Sequence, residues 1–549
     1  MKWCALCFLS LFVVIQLNAQ SRVPRKQIQS SSGPKLVVGI VIDQMRWDYL
    51  YRFQNRYAAN GFNRLIRQGY SCENTFISYT PTSTAPGHSG IYTGSVPALH
   101  GIVGNNWYEK KSGKVAYCTD DSTVLSVGTT SVAGKMSPRN MWATTVCDEL
   151  RLSTNFRSKV IGIALKDRGA ILPAGHSANA AYWFDNGTGG WISSSYYMKE
   201  LPAWVQQFNA KKLPDQSLAN TWNTMYPISS YVQSTADDKP YEGNLPGEDN
   251  TFPHATAAIT KDKYQTFRYT PFGNTYTFDM AKAAVEGEQL GADSVTDFLA
   301  LSFSSTDYIG HTFGPNSIEI EDTYLRFDKD LADFLNYLDG KMGKNNYLLF
   351  LSADHAAAHV PGFLIENHVP AGFLDDAEVR GFVEKFLKSE FGLDNVIMQV
   401  INYQIYLDRE KIRAAGKDMD EVTQSIINEL LNHDEIAAAC RLDRGESISF
   451  PDKLRNMVIN GYNQKRSGDI QFMFKPDYFD GGSTGTTHGT WSQYDTHIPL
   501  LWYGWNIKPG KTNREIYMSD IAPTITALLQ IQMPDACIGK VIEEITTGK

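Results

Sequence analysis

Short, unbroken apolar runs that end in polar or charged residues recur along the chain: Leu36 to Asp43, Val160 to Lys166, Phe298 to Asp307, Tyr347 to Asp354 and Ile498 to Tyr503. Runs rich in Val, Ile, Leu and Phe without alternation predict strands buried on both faces of a parallel sheet. Helical periodicity lies between them. Phe327, Leu331, Phe334, Leu335 and Leu338 share one face of a helix that Gly340 is expected to stop. A second helix is expected to begin at Ser519 or Asp520, carry Pro523 in its first turn and run through Leu529. The alternation predicts an α/β layered core with a mostly parallel sheet between helices. Two stretches break the rhythm. One, at about 181–286, is rich in Trp, Tyr, Ser, Asn and Gly; the other, at about 366–480, mixes helical and strand patterns and reads as a smaller α/β cap. The expectation is one large domain, 35–549, with two insertions.

The first 19 residues have a basic start, an apolar run from Trp3 to Leu17 and small residues before Gln20. This is the layout of a secretory signal peptide cleaved after Ala19, because a membrane span needs about 20 apolar residues. Cys4 and Cys7 stand at the start of the run, where a lipoprotein site would need a Cys at its end. Residues 20–34 read as a flexible lead-in. A periplasmic or secreted protein follows, with no stable membrane insertion after cleavage. The 51 basic and 59 acidic residues leave a net charge of -8, and removal of Lys2 makes the mature chain -9, which argues against a nucleic-acid partner. Cys72, Cys118, Cys147, Cys440 and Cys537 remain, an odd number without a CxxC pair, so neither a thiolate zinc site nor a redox motif is indicated.

Ligand sites of open α/β sheets lie outside the carboxyl ends of the strands. Asp43 ends the first run; Asp307 ends a later one and is followed four residues on by His311; Asp354 and His355 end another; and His488 sits in the Gly- and Thr-rich loop 481–490. Carboxylates mixed with imidazoles are zinc-type ligands, and these six with one hydroxyl suit two metals. His497, His100, His176, His254, His359, His368 and His433 read as structural. The hydroxyl lies in Pro81-Thr82-Ser83-Thr84-Ala85-Pro86-Gly87-His88. There Thr84 is either a helix cap or a nucleophile at a positive helix end, and the octapeptide does not decide between them. The segment from Gly504 to Thr512 breaks the spacing of a phosphate-binding P-loop.

In order and spacing, Asp43, Thr84-Ala85-Pro86-Gly87-His88, Asp307-x-x-x-His311, Asp354-His355 and His488 resemble the site of the alkaline phosphatase superfamily. The branch is the one that includes nucleotide pyrophosphatase/phosphodiesterases, and the resemblance runs from about Lys35 to Gln530. It implies an alkaline-phosphatase-like core and two zinc ions per chain. Asp307, His311 and His488 would hold one, and Asp43, Asp354, His355 and the Thr84 oxygen the other. Asn105 and the triplet Lys166-Asp167-Arg168 resemble the phosphate-contacting residues of secreted phosphate-irrepressible alkaline phosphatases, monoesterases with a Thr nucleophile. On an extended strand end, alternation would put Lys166 and Arg168 on one side, where two cations and an amide suit a dianionic monoester. The resemblance thus implies a phosphomonoesterase acting on small phosphate monoesters through a phosphothreonine. A phosphodiesterase is the alternative, and a non-catalytic surface-binding module a remote one. A sulfatase would need Cys or Ser at position 84 and Arg at 88.

Overall fold

The computed structural model describes residues 33–246 and 249–547; the expected signal peptide and most of the lead-in lie outside them. The apolar runs become strands of one eleven-stranded sheet. At its centre Leu36–Ile42 lies between Tyr347–Ser352 and Asp297–Phe303, followed outward by Val160–Ala164 and Ala180–Asp185, all parallel. Every residue of Leu36–Ile42 is buried, which is why the run has no polar alternation. The run from Ile498 breaks at Pro499, which has no N–H for the ladder, into His497–Ile498 and Leu500–Gly504. Leu500–Gly504 closes antiparallel on Tyr347–Ser352.

Register decides what this sheet presents. Val41 pairs with both Ser352 and Ser302, and Ala164 also pairs with Ser302. Four parallel strands therefore end level, and the residues that follow them, Asp43, Lys166, Asp307 and Asp354, emerge along one rim.

Three local expectations change. The strand from Asp297 stops at Phe303, and Asp307 and His311 sit on the helix Ser305–Phe313. The helix Ile318–Met342 runs through Gly340 and ends at Gly343, whose φ of +87° suits glycine; its Phe327, Leu331, Phe334, Leu335 and Leu338 are buried as patterned. The stretch 181–286 is not irregular throughout. Ala180–Asp185 and Gly190–Ser194 extend the main sheet, Phe272–Gly287 packs on Asp297–Phe303, and Trp183, Trp191 and Trp222 are core residues. The helix Ile521–Leu529 starts one residue after Asp520 with Pro523 in its first turn.

Residues 366–480 carry a separate four-stranded sheet, in the order Ile397–Ile401, Gln404–Leu407, Ile470–Phe474, Ile436–Arg441. Val379, Val383 and Leu387 from the helix Asp376–Phe391, with Ile426 from Met419–Leu430, complete its own apolar cluster. Among the described residues no helix is long and apolar enough to cross a membrane. The five cysteines of the described residues are unpaired.

Candidate active site

Two groups of acidic and imidazole side chains gather at the rim, Asp43 with Asp354 and His355, and Asp307 with His311 and His488; within each, one ligand atom per residue lies within 4.8 Å of the others. In the first group His355 Nε2 is 3.5 Å from Asp43 Oδ1 and 3.6 Å from Asp354 Oδ2. In the second, Asp307 Oδ1 is 3.2 Å from His311 Nε2 and 3.9 Å from His488 Nε2. The i to i+4 spacing on one helix brings Asp307 and His311 together, as their sequence spacing suggests.

The donor chemistry fits metal ions. Each imidazole has Nδ1 at a backbone carbonyl, His311 at Thr486 (2.8 Å), His488 at Thr82 (2.8 Å) and His355 at Ala356 (3.0 Å). A carbonyl only accepts, so Nδ1 carries the proton and the Nε2 lone pair is left for a metal. Asp43 Oδ1 and Asp354 Oδ2 are buried with no hydrogen-bond partner, an arrangement a cation would satisfy. Burial pushes the Asp43 carboxyl well up, and Asp307 and Asp354 push it further. Burial acts the same way on Asp307, but Lys166 and His311 outweigh it and hold that carboxyl well below its ordinary range. Burial also lowers His355 and, with His355 and His311 beside it, His488, which favours the neutral ligand form.

The helix Thr84–Thr93 begins at Thr84, with Ser83 as its flanking residue and no side-chain cap. The cap reading of Thr84 is thereby corrected. Its hydroxyl instead lies 3.5 Å from His355 Nε2, at the positive end of that helix. Gly87 permits this placement, because a Cβ there would lie 2.3 Å from the Asp354 carbonyl. Asn105 Oδ1 accepts from Ala85 N at 2.9 Å, so its NH2 is the group it can offer a ligand.

Lys166 and Arg168 do not lie along an extended strand. The strand ends at Ala164, Lys166 flanks the helix Asp167–Ala174, and Arg168 belongs to its first turn. Lys166 Nζ bridges the two groups, 2.7 Å from Asp43 Oδ2 and 2.5 Å from Asp307 Oδ2. Arg168 Nη1 donates to Tyr117 OH at 3.1 Å, while its buried Nε has no partner.

Sequence reading missed two supports. Gln44 donates from its backbone to Asp354 Oδ1 (3.2 Å) and from its side chain to Asp307 Oδ1 (3.1 Å), tying the groups together from a backbone with φ of +68°. His88 contacts the Thr84 carbonyl and Ser302 Oγ, both at 2.8 Å, and lies 3.3 Å from Asp354 Oδ2. The spacing from Thr84 to His88 was the available signal for the second. The seven histidines read as structural lie outside both groups.

Residues 37–497 match the family of type I phosphodiesterases and nucleotide pyrophosphatases. The chain belongs to this family. Among the family's relatives, it is 50% identical to alkaline phosphatase PhoV of Synechococcus elongatus over 552 residues, 99% of this chain and 100% of that one. It is 51% identical to alkaline phosphatase PafA of Elizabethkingia meningoseptica over 516 residues, 93% of this chain and 94% of that one. The crystal structure of wild-type PafA matches with a TM-score of 0.92, covering 93% of this chain and 99% of that chain. The layered core is an alkaline-phosphatase-like fold, and the resemblance read from the motifs holds for the family as a whole.

Proposed function

We propose that the protein is a secreted or periplasmic alkaline phosphatase that hydrolyses phosphate monoesters, with Thr84 as nucleophile. The observation that carries this is the position of the Thr84 hydroxyl at a helix N-terminus, 3.5 Å from Nε2 of His355 in one of the two ligand groups. Relatives named alkaline phosphatases at about half identity over nearly the whole chain support it. Asp43, Asp354, His355 and the Thr84 oxygen would hold one zinc, and Asp307, His311 and His488 a second. Bound zinc would supply Lewis acidity at the attacking and leaving oxygens.

Thr84 Oγ1 loses its proton and attacks phosphorus in line; the P–O bond to the alcohol breaks, and the alcohol leaves with a proton. Water then cleaves the phosphothreonine, releasing phosphate and restoring the hydroxyl. Asn105, Lys166 and Arg168 hold the non-bridging oxygens. Lys166 is already aimed between the ligand groups, whereas Arg168 must leave or share Tyr117. Alkaline conditions should favour turnover, because imidazole ligands must be neutral and the attacking oxygen ionised. The phosphodiesterase alternative rests on the family's breadth. Both readings are tested by metal analysis of active protein and by rates on an aryl phosphate and its methyl diester. About two zincs with monoester preference is the expected result; preference for the diester would select the alternative.

A further inference from the structure

The phosphate-binding residues read only the transferred group, but a second cation besides Lys166 packs on the ring of Tyr308. In-line attack by Thr84, which sits with the Asp43 group, directs the leaving oxygen toward Asp307, His311 and His488. Tyr308 is the residue after Asp307. Its ring carries Lys166 Nζ at 5.0 Å from the centroid and the Arg268 guanidinium at 4.6 Å, and its hydroxyl accepts from Arg268 Nη1 at 2.7 Å. Arg268 arrives from the aromatic stretch, just past the short helix Lys263–Phe267, and its neighbour Tyr269 packs on Tyr308 with ring centroids 4.9 Å apart.

Arg268 is half-buried, and its only hydrogen-bonding side-chain partner among the described residues is a neutral hydroxyl. Its Nε is buried without a partner, and among the described residues no carboxylate forms an ion pair with it. A partly desolvated guanidinium costs free energy unless an anion meets it, and its planar fork suits phosphate or carboxylate. Resting on the phosphatase reading, we propose that Arg268 forms a subsite for a second anionic group on the leaving side of the substrate. It would favour monoesters and terminal phosphoryl groups whose leaving portion itself carries a phosphate or carboxylate. Tyr308, next in the chain to Asp307, holds the guanidinium through its ring and hydroxyl.

The test compares phenyl phosphate, 4-carboxyphenyl phosphate and ADP as substrates of wild type, Arg268→Gln and Arg268→Lys. Arg268→Gln should keep kcat/KM for phenyl phosphate within about two-fold and lose roughly ten-fold or more on the substrates with anionic leaving groups. Arg268→Lys should recover part of that loss. A selective loss on ADP alone identifies phosphate as the ligand, and one on 4-carboxyphenyl phosphate alone identifies carboxylate. Equal losses on all three substrates, or none, overturn the subsite. Wild type inactive on phenyl phosphate would instead overturn the phosphatase reading beneath it. A measurement on unaltered enzyme guards against a misfolded variant: 4-hydroxybenzoate should inhibit phenyl phosphate hydrolysis several-fold more tightly than phenol, and equal inhibition overturns the proposal.

Discussion

The Tyr403 hydroxyl donates to the backbone carbonyl of His488 at 3.1 Å, joining the cap at 366–480 to the second ligand group. Asn402 beside it donates to the Asn106 carbonyl at 2.7 Å, next to Asn105. Both residues form the hairpin tip with positive φ, 58° and 59°, a conformation that is uncommon for a tyrosine and persists only when its surroundings hold it. The tip thus braces the His488 loop and the Asn105 loop together. Tyr403→Phe removes one hydrogen bond, so a fall of about two- to ten-fold in kcat/KM is expected with faster metal loss on dialysis. Activity and metal content both equal to wild type would show that the bond orients nothing.

Outside both ligand groups, Asp148 closes the start of the helix Val146–Ser153 by accepting from Thr145 N, and also accepts from Ser177 N and Oγ, with His176 nearby. Burial raises its pKa, but the bonds to His176, Thr145 and Ser177 outweigh that and hold it down at about 2. The folded value is below the unfolded one, so its stabilisation is present above about pH 4 and is lost as pH falls toward 2, amounting to about 2 kcal/mol. His176, raised by Asp148 against burial, loses its share as pH rises through its folded value. Asp148→Asn should therefore lower the urea midpoint at pH 5.5, and the two proteins should converge on acidification. A constant gap from pH 5.5 to 2.5 would contradict the assignment.

What was legible follows from physics that acts locally. Asp43 and Asp354 announce themselves because a strand buried on both faces must stop close to where a carboxylate appears, and level strand ends then gather them; Asp307 reaches the same rim from the first turn of the helix Ser305–Phe313 that follows its strand. His311 follows from helical spacing. Thr84 is ambiguous in the sequence because both a cap and a nucleophile stand at a helix start; the cap reading falls only when the helix is seen to begin at Thr84 itself, and the His355 that its hydroxyl faces lies 271 residues away. Lys166 and Arg168 were placed on a strand because nothing in Leu165-Lys166-Asp167 announces that a helix begins. Gln44 and Tyr403 left no sequence signal: each acts through a left-handed backbone and partners distant in the chain.

Thr84→Ala should reduce turnover by several orders of magnitude, since on the proposed mechanism it removes the group that attacks phosphorus. Thr84→Ser retains a hydroxyl and should keep a substantial part of the rate. Acid quenching of wild type with labelled substrate should yield phosphothreonine within residues 81–92 and none from the alanine variant. Rates for Thr84→Ala within ten-fold of wild type would remove Thr84 from the chemistry.

Discrimination between monoesters and diesters needs variants chosen by what else each residue does. Lys166 is bonded to Asp43 and Asp307, so Lys166→Ala leaves two buried carboxylates without their shared cation and should also weaken the fold before metals bind. Arg168 and Asn105 carry less of that burden, one bonded to Tyr117 and the other to the Ala85 amide. Arg168→Ala and Asn105→Ala should therefore each cut kcat/KM for an aryl phosphate by roughly ten-fold or more and spare the matching methyl diester, which carries one negative charge fewer. Because on the proposed mechanism both would hold one phosphoryl group, the double variant should lose less than the product of the single losses. Equal losses on monoester and diester, with metal content unchanged, would assign these residues to general phosphate binding and leave the preference to the metals.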